Sequence, residues 1–197
     1  GKFSNGEDSI IYYAAQASAD SDFELNATVH IDEFSSMEES SNPNQSSVGI
    51  AVLDDLYNKT DELAYTNSVF LGTWAEKKTD DIAFYPITRD NSDKKSEGEA
   101  LSNTFANSGT DLGDYKLSIK KTGSAYTLTC GDNSQTVELG SMSEEVYPCL
   151  YIARNVKATF TDVDLKVDNR KAVSLALEGE CKTDYLYDED IDLSGLK

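Results

Sequence analysis

The apolar residues of this chain recur with a period of two, and no stretch of ten or more residues carries a 3.6-residue repeat. Phe23, Leu25, Ala27, Val29 and Ile31 fall on one parity, while Asn26, Thr28 and His30 fall on the other. Successive side chains of an extended strand point to opposite faces, so this segment reads as a strand with one side in a core. Val48, Ile50 and Val52 repeat the pattern after a serine- and asparagine-rich stretch. Ile82/Phe84, Tyr115/Leu117/Ile119, Tyr126/Leu128 and Val137/Leu139 follow at strand-like lengths. Lys121-Thr-Gly-Ser124 between two such runs reads as a hairpin turn. Residues 88–113 hold little apolar material and predict a long loop or excursion. Short alternating strands joined by polar turns predict an all-β fold, an antiparallel two-sheet sandwich of jelly-roll type.

The 36 acidic against 17 basic side chains give a formal charge of −19. Nucleic-acid binding is driven by Lys and Arg neutralising phosphates, so no nucleic-acid partner is expected, nor docking on an anionic membrane. No apolar run approaches the ~18 residues of a spanning helix, so membrane insertion is not expected either. Cys130, Cys149 and Cys181 show neither CxxC nor Cys/His ligand spacing. Buried free thiols are the leading expectation, with a Cys130–Cys149 bridge as the alternative.

Two segments carry a family resemblance. Asn5-Gly-Glu-Asp-Ser-Ile-Ile-Tyr-Tyr13, running on into Asp22 to Val29, resembles the start of the concanavalin A-like (laminin G-like) sandwiches that accompany bacterial pectate lyases and related polysaccharide-degrading enzymes. Val146 to Leu165 resembles their end, through Tyr147, Ala153, Arg154, Thr159, Phe160 and Asp162, with Cys149 standing where glycine is usual. Gln45-Ser-Ser-Val-Gly-Ile50 is similar to a middle strand of the family. Near the C-terminus, Lys182, Tyr185, Asp192, Gly195 and Leu196 resemble the opening of a bacterial Ig-like repeat, with Asp188 in place of a turn glycine. An Ig-like domain needs about 100 residues. The expected division is therefore a sandwich module over residues 1–169 and, over 170–197, a linker with truncated Ig strands, Ala172 to Leu177 first. The resemblance implies a monomeric module of an extracellular or surface-attached bacterial multidomain enzyme, covalently linked to neighbouring domains, with polysaccharide as its partner.

A sugar site combines aromatic faces with polar groups, and a uronate carboxylate asks for Arg or Lys in a charge-assisted pair. Trp74 ends the Ser68–Trp74 run, and Tyr85 and Arg89 share one parity of the next strand. If the two strands form a hairpin, Trp74, Tyr85 and Arg89 meet on one face as the leading candidate site. The competing reading makes Trp74 core, Tyr85 packing under the 88–113 stretch, and Arg89 a surface ion pair worth little. Pro86 removes a ladder donor and predicts an edge or bulged strand. Arg154 matches a family position and shares parity with Leu150 and Ile152. A structural pair with a carboxylate is its leading role and ligand contact the alternative.

No cofactor is required by this reading, but a structural calcium has a candidate site. The apolar parity slips between Phe160 and Val163, which predicts a bulge at Thr161–Asp162. If the first and last strands lie side by side, Asp8 joins Asp162 as an oxygen ligand. The single histidine, His30, lies on the outward parity, and neither GxSxG nor the Glu-x-Asp-x-x-Glu motif of sandwich glycanases occurs. The expectation is therefore no enzyme but a non-catalytic carbohydrate-binding module, for which the resemblance implies plant cell-wall polysaccharide of the pectic or another type. The alternative is a structural spacer or protein-interaction domain with no glycan site.

Overall fold

The computed structural model describes residues 10–35, 46–56, 66–77, 80–90, 95–140, 142–168 and 170–171. They are all-β. The strands are β1 (Ile10–Ala14), β2 (Ala17–Ser18), β3 (Phe23–Ser35), β4 (Ser47–Leu53), β5 (Ser68–Trp74), β6 (Ala83–Arg89), β7 (Lys95–Glu97), β8 (Ser108–Thr110), β9 (Asp114–Thr122), β10 (Ala125–Cys130), β11 (Asn133–Glu138), β12 (Glu145–Ala153), β13 (Val156–Val167) and β14 (Arg170–Lys171). Sheet I runs β1-β12-β4-β5-β6-β7, with β2 also on β12. Sheet II runs β11-β10-β9-β3-β13-β14, with β8 also on β3. Every pairing is antiparallel. No helix among the described residues is long and apolar enough to cross a membrane.

The alternation read in β3 is the alternation observed: Phe23, Leu25, Ala27, Val29 and Ile31 are buried and the residues between them half-buried. They face Val48, Ile50, Val52, Val69 and Leu71 of sheet I across the main core. Phe84, Phe105 and Tyr115 pack as a tilted aromatic trio at one end, with ring centroids 4.8–6.1 Å apart. The Lys121–Ser124 turn is a hairpin, with Thr122 paired to Ala125 and Gly123 at φ 58°, a left-handed conformation that glycine adopts without strain. The described residues of 88–113 pass from one sheet to the other. They add β7 to β6 in sheet I and β8 to β3 in sheet II, and Phe105 bridges to Ile82 between them.

Three details differ from expectation. The strand carrying Pro86 is not at the edge, because β7 pairs with Ile87–Arg89 outside it. Proline lacks the donor, but its carbonyl still accepts from Gly98 N at 2.8 Å, which lets the short neighbour attach. Arg154 does not prolong a buried strand. It is half-buried in the β12–β13 turn at φ 59°. The first strand pairs with β12 of sheet I, whereas Asp162 lies on β13 of sheet II. The expected bulge is there: the β3–β13 register shifts between Thr161 and Asp164, and Asp162 takes φ 52°.

Cys130 and Cys149 are buried free thiols. Burial pushes the Cys130 thiol up to about 11 and Cys149 further in the same direction, so neither is an available thiolate at neutral pH. Cys181, the Ig-like resemblance and the strand expected over residues 172–177 lie outside the described residues.

Candidate functional site

Strands β4 and β5 are buried along their whole length, on both parities. Sheet I therefore has two packed faces, and the outward one carries its own apolar cluster. Phe70, Trp74, Tyr85, Ile87, Cys149 and Tyr151 belong to it. The cross-strand register builds this face in rows. One row reads Tyr12–Tyr151–Gly49–Gly72–Tyr85 across five strands. Tyr151 lies over Gly72, where a Cβ would sit 1.7 Å from its hydroxyl, while a Cβ on Gly49 would sit 2.1 Å from the backbone carbonyl oxygen of Leu71. The phenol of Tyr151 is 2.8 Å from Ser47 Oγ, which donates to the Thr73 carbonyl at 3.0 Å. Phe70 meets the Tyr151 ring edge-on, with centroids 5.0 Å apart. Burial holds the Tyr151 phenol protonated far above its ordinary range, against the smaller opposing effect of its hydrogen bond with Ser47.

The expected hairpin of β5 and β6 forms, pairing Trp74 with Ala83, Gly72 with Tyr85 and Ser68 with Arg89. Trp74, Tyr85 and Arg89 thus share this face. They are packed rather than open, at 6%, 7% and 4% exposure, so none is a bare stacking platform. The partly buried residues packed on this cluster are Ile10, Tyr12, Ala14 and Leu56. The Tyr85 phenol is raised by burial first and by Glu76 and Asp80 next, which keeps it a hydrogen-bond donor. Ser68 Oγ, directly across from Arg89, is fully buried and has no hydrogen-bond partner.

The outward face of sheet II is polar. Thr28 donates to Asp162 at 3.1 Å above a shallow cleft of about 320 Å³ lined by Asn26, Lys116, Ser118 and Thr129 as well. His30 Nδ1 lies 2.8 Å from Asp114, and its Nε2 lies 3.5 Å from Asp111 and 3.7 Å from Asp32. The bond to Asp114, with the charges of Asp32 and Asp111, raises the imidazole pKa despite a smaller opposing effect of burial. Among the described residues no group of three or more His, Cys, Asp or Glu side chains could hold a metal ion. Asp8 lies outside those residues, and Arg154 sits in the β12–β13 turn.

Sequence reasoning missed Ser47, Ser68 and Tyr151. The signal was present in Gly49 and Gly72, two glycines inside otherwise apolar strands, which mark a close approach of another group to the backbone.

A family model described as the pectate disaccharide-lyase N-terminal domain matches residues 1–170. The chain belongs to that family. It is 31% identical over 204 residues to pectate lyase L of Thermoclostridium stercorarium; all of this chain but only 15% of that relative takes part, so the chain spans a small part of the protein it matches. Two solved structures share the fold at 13% identity each. A polysaccharide lyase of family 18 superposes with a TM-score of 0.56, covering 83% of this chain and 81% of the other. An alginate lyase from Alteromonas sp. 272 does so with 0.51, covering 79% and 78%. The domain is thus a carbohydrate-related β-sandwich of the polysaccharide-lyase world.

These relatives correct one expectation. The prediction that the chain is no enzyme does not stand, because its family and its relative are polysaccharide lyases by name. The prediction rested on missing hydrolase motifs. An eliminating lyase needs no nucleophile and no activated water. It needs a base near the acidic proton and a cation near the carboxylate, which Tyr, His, Lys or Arg supply without a sequence motif.

Proposed function

We propose that this domain takes hold of a uronate polysaccharide of the pectic type on the outward face of sheet I. Arg89 meets a carboxylate, and Trp74 and Tyr85 supply aromatic surface and a hydroxyl. Binding is the step that a recognition module and a lyase have in common. The observation that carries this reading is the convergence of Trp74, Tyr85 and Arg89 on the apolar outward face of sheet I. Family membership supports the substrate class.

The charge of −19 opposes a polyanion at long range. Screening over ~8 Å at physiological ionic strength leaves the contact itself to decide. At 4% exposure, Arg89 offers a far drier setting for a charge-assisted bond than a surface lysine does. The parent protein on this reading is an extracellular polysaccharide lyase with covalently linked domains, in which even weak binding raises the local substrate concentration.

The test is an affinity-gel series over polygalacturonate, xylan, glucan and mannan, with and without calcium. An ultraviolet assay for unsaturated uronate ends runs beside it and reports cleavage. Retardation by polygalacturonate that disappears in Arg89→Gln and Trp74→Ala supports the proposal. Equal migration in all four gels at high protein concentration overturns it in favour of a spacer. The calcium arms decide whether Asp8 and Asp162 matter.

A further inference from the structure

Two clefts adjoin on the outward side of sheet II. The smaller, about 320 Å³, holds Asn26, Ser118 and Thr129, and the larger, about 490 Å³, reaches Leu101 and Tyr115. Thr28, Lys116, Gly131 and Asp162 line both, so the two meet there. Each volume falls in the range of small-ligand sites, roughly 300–1,000 Å³.

The strand register explains the shape. Thr129, Ser118 and Asn26 stand side by side across β10, β9 and β3, and Lys116 and Thr28 form the next row. The short side chains of Thr129, Ser118, Asn26 and Thr28 are half-buried, whereas Lys116 and Asp162 are exposed. Asp162 joins them through the β13 bulge, which takes a side chain out of its ladder position. A non-glycine residue at φ 52° carries backbone strain, and such strain concentrates at functional sites.

The polar groups of the cleft are not used up within the fold. Thr28 donates to Asp162 Oδ2 at 3.1 Å, which leaves Oδ1 to accept from elsewhere. Among the described residues, the Lys116 ammonium and the Ser118 and Thr129 hydroxyls bond no other side chain. Outside the cleft on the same sheet, the Thr127 and Thr136 hydroxyls satisfy each other at 2.9 Å.

We propose that this depression is a second glycan site, which takes an uncharged, hydroxyl-rich chain. A sugar hydroxyl both donates and accepts, so neighbouring hydroxyls suit a cleft that holds a carboxylate and an ammonium, Asp162 and Lys116. The C–H face of a sugar ring finds apolar contact at Leu101 and Tyr115. Lys116 and Asp162 cancel in the smaller cleft, and the larger adds Asp114 and Asp132, a balance that turns a polyanion away. Membership of a carbohydrate-related family supports glycan as the ligand class. The proposal goes beyond the sheet I reading and does not depend on it, because sheet and ligand both differ.

The experiment titrates the full chain with soluble xylan, β-glucan and mannan at low and high salt. Lys116→Met and Asp162→Asn are the test variants; asparagine keeps an acceptor for Thr28 and tolerates a left-handed backbone. Lys120→Met, exposed on β9 outside both clefts, is the control, and urea melts check that each variant is folded.

The wild type should bind at least one of the three polymers with an affinity that salt changes little, because the ligand carries no charge. Lys116→Met and Asp162→Asn should each weaken that binding roughly tenfold, the lower end for a hydrogen bond to a charged group. Lys120→Met should bind like the wild type. Equal weakening by Lys120→Met and Lys116→Met overturns the proposal, since the effect is then one of surface charge. If Arg89→Gln abolishes neutral-polymer binding while Lys116→Met keeps it, sheet I holds both polymers and the second site is overturned. Binding of polygalacturonate with none of the neutral polymers bound also overturns it, and leaves the sheet I reading standing.

Discussion

The two sheets turn opposite kinds of face outward. On sheet II the burial pattern alternates, as in β10, and the outward side chains are Thr, Lys, Asp and the single histidine. On sheet I it does not alternate: β4 and β5 are buried at every position, and the outward side chains are Phe70, Trp74, Tyr85 and Tyr151. A sheet with one wet face spends most of its outward residues on solubility. A sheet packed on both faces has outward residues to shape a site, and here those residues include an arginine and an unmet hydroxyl.

The comparison breaks most readily at Phe70. If the outward face of sheet I is a second core, Phe70→Ala should lose about 4 kcal/mol of stability in a urea melt, whereas Thr127→Ala on the outward face of β10 should stay within about 0.5 kcal/mol. Similar values for the two would show that the faces do not differ.

Gly72→Ala is next, at about 2 kcal/mol or more, because its Cβ meets the Tyr151 hydroxyl and the ring must move. Gly140→Ala, whose Cβ meets nothing within 4 Å, is the matching control and should be close to neutral. A shift in the near-ultraviolet circular dichroism of Gly72→Ala alone would place the disturbance at the Tyr151 cluster.

On sheet II, Asp162→Ala removes the bond from Thr28 and leaves an alanine at φ 52°, which together should cost about 1 kcal/mol. Asp162→Gly should lose less, since glycine accepts that conformation. Equal losses would mean that the backbone contributes nothing at the bulge.

The smallest effect is the pH dependence of His30. Its folded pKa lies above the ordinary value of 6.5, so its contribution to stability is complete below about pH 6.5 and disappears as pH rises through the raised value. The stability gap between wild type and His30→Gln should therefore be widest on the acid side and close as pH rises. A gap that widens with rising pH would contradict the Asp114 contact.

Much of this was legible beforehand where one period ruled. In β3, β9 and β10 a single wet face writes its alternation into the sequence, and the residues expected in the core are there. The bulge before Val163 was legible for the same reason, as a slip in that alternation. Sheet I was harder. Both parities of Ser68-Val-Phe-Leu-Gly-Thr-Trp74 are buried, so parity could place Trp74, Tyr85 and Arg89 together but could not say whether they were open. Ser68 looked like an ordinary small polar residue, because a hydroxyl's lack of a partner is a property of everything around it.

By itself the sequence determined the class of fold and the shared parity of Tyr85 and Arg89, because period and parity are local and survive without knowledge of distant neighbours. Only the tertiary structure decided that sheet I is packed on both sides, that Tyr151 lies over Gly72, and that Ser68 is buried opposite Arg89 with its hydrogen bond unmade. Those facts depend on which strands become neighbours. β12 stands beside β4 although about a hundred residues separate them in sequence, and no local pattern encodes that contact.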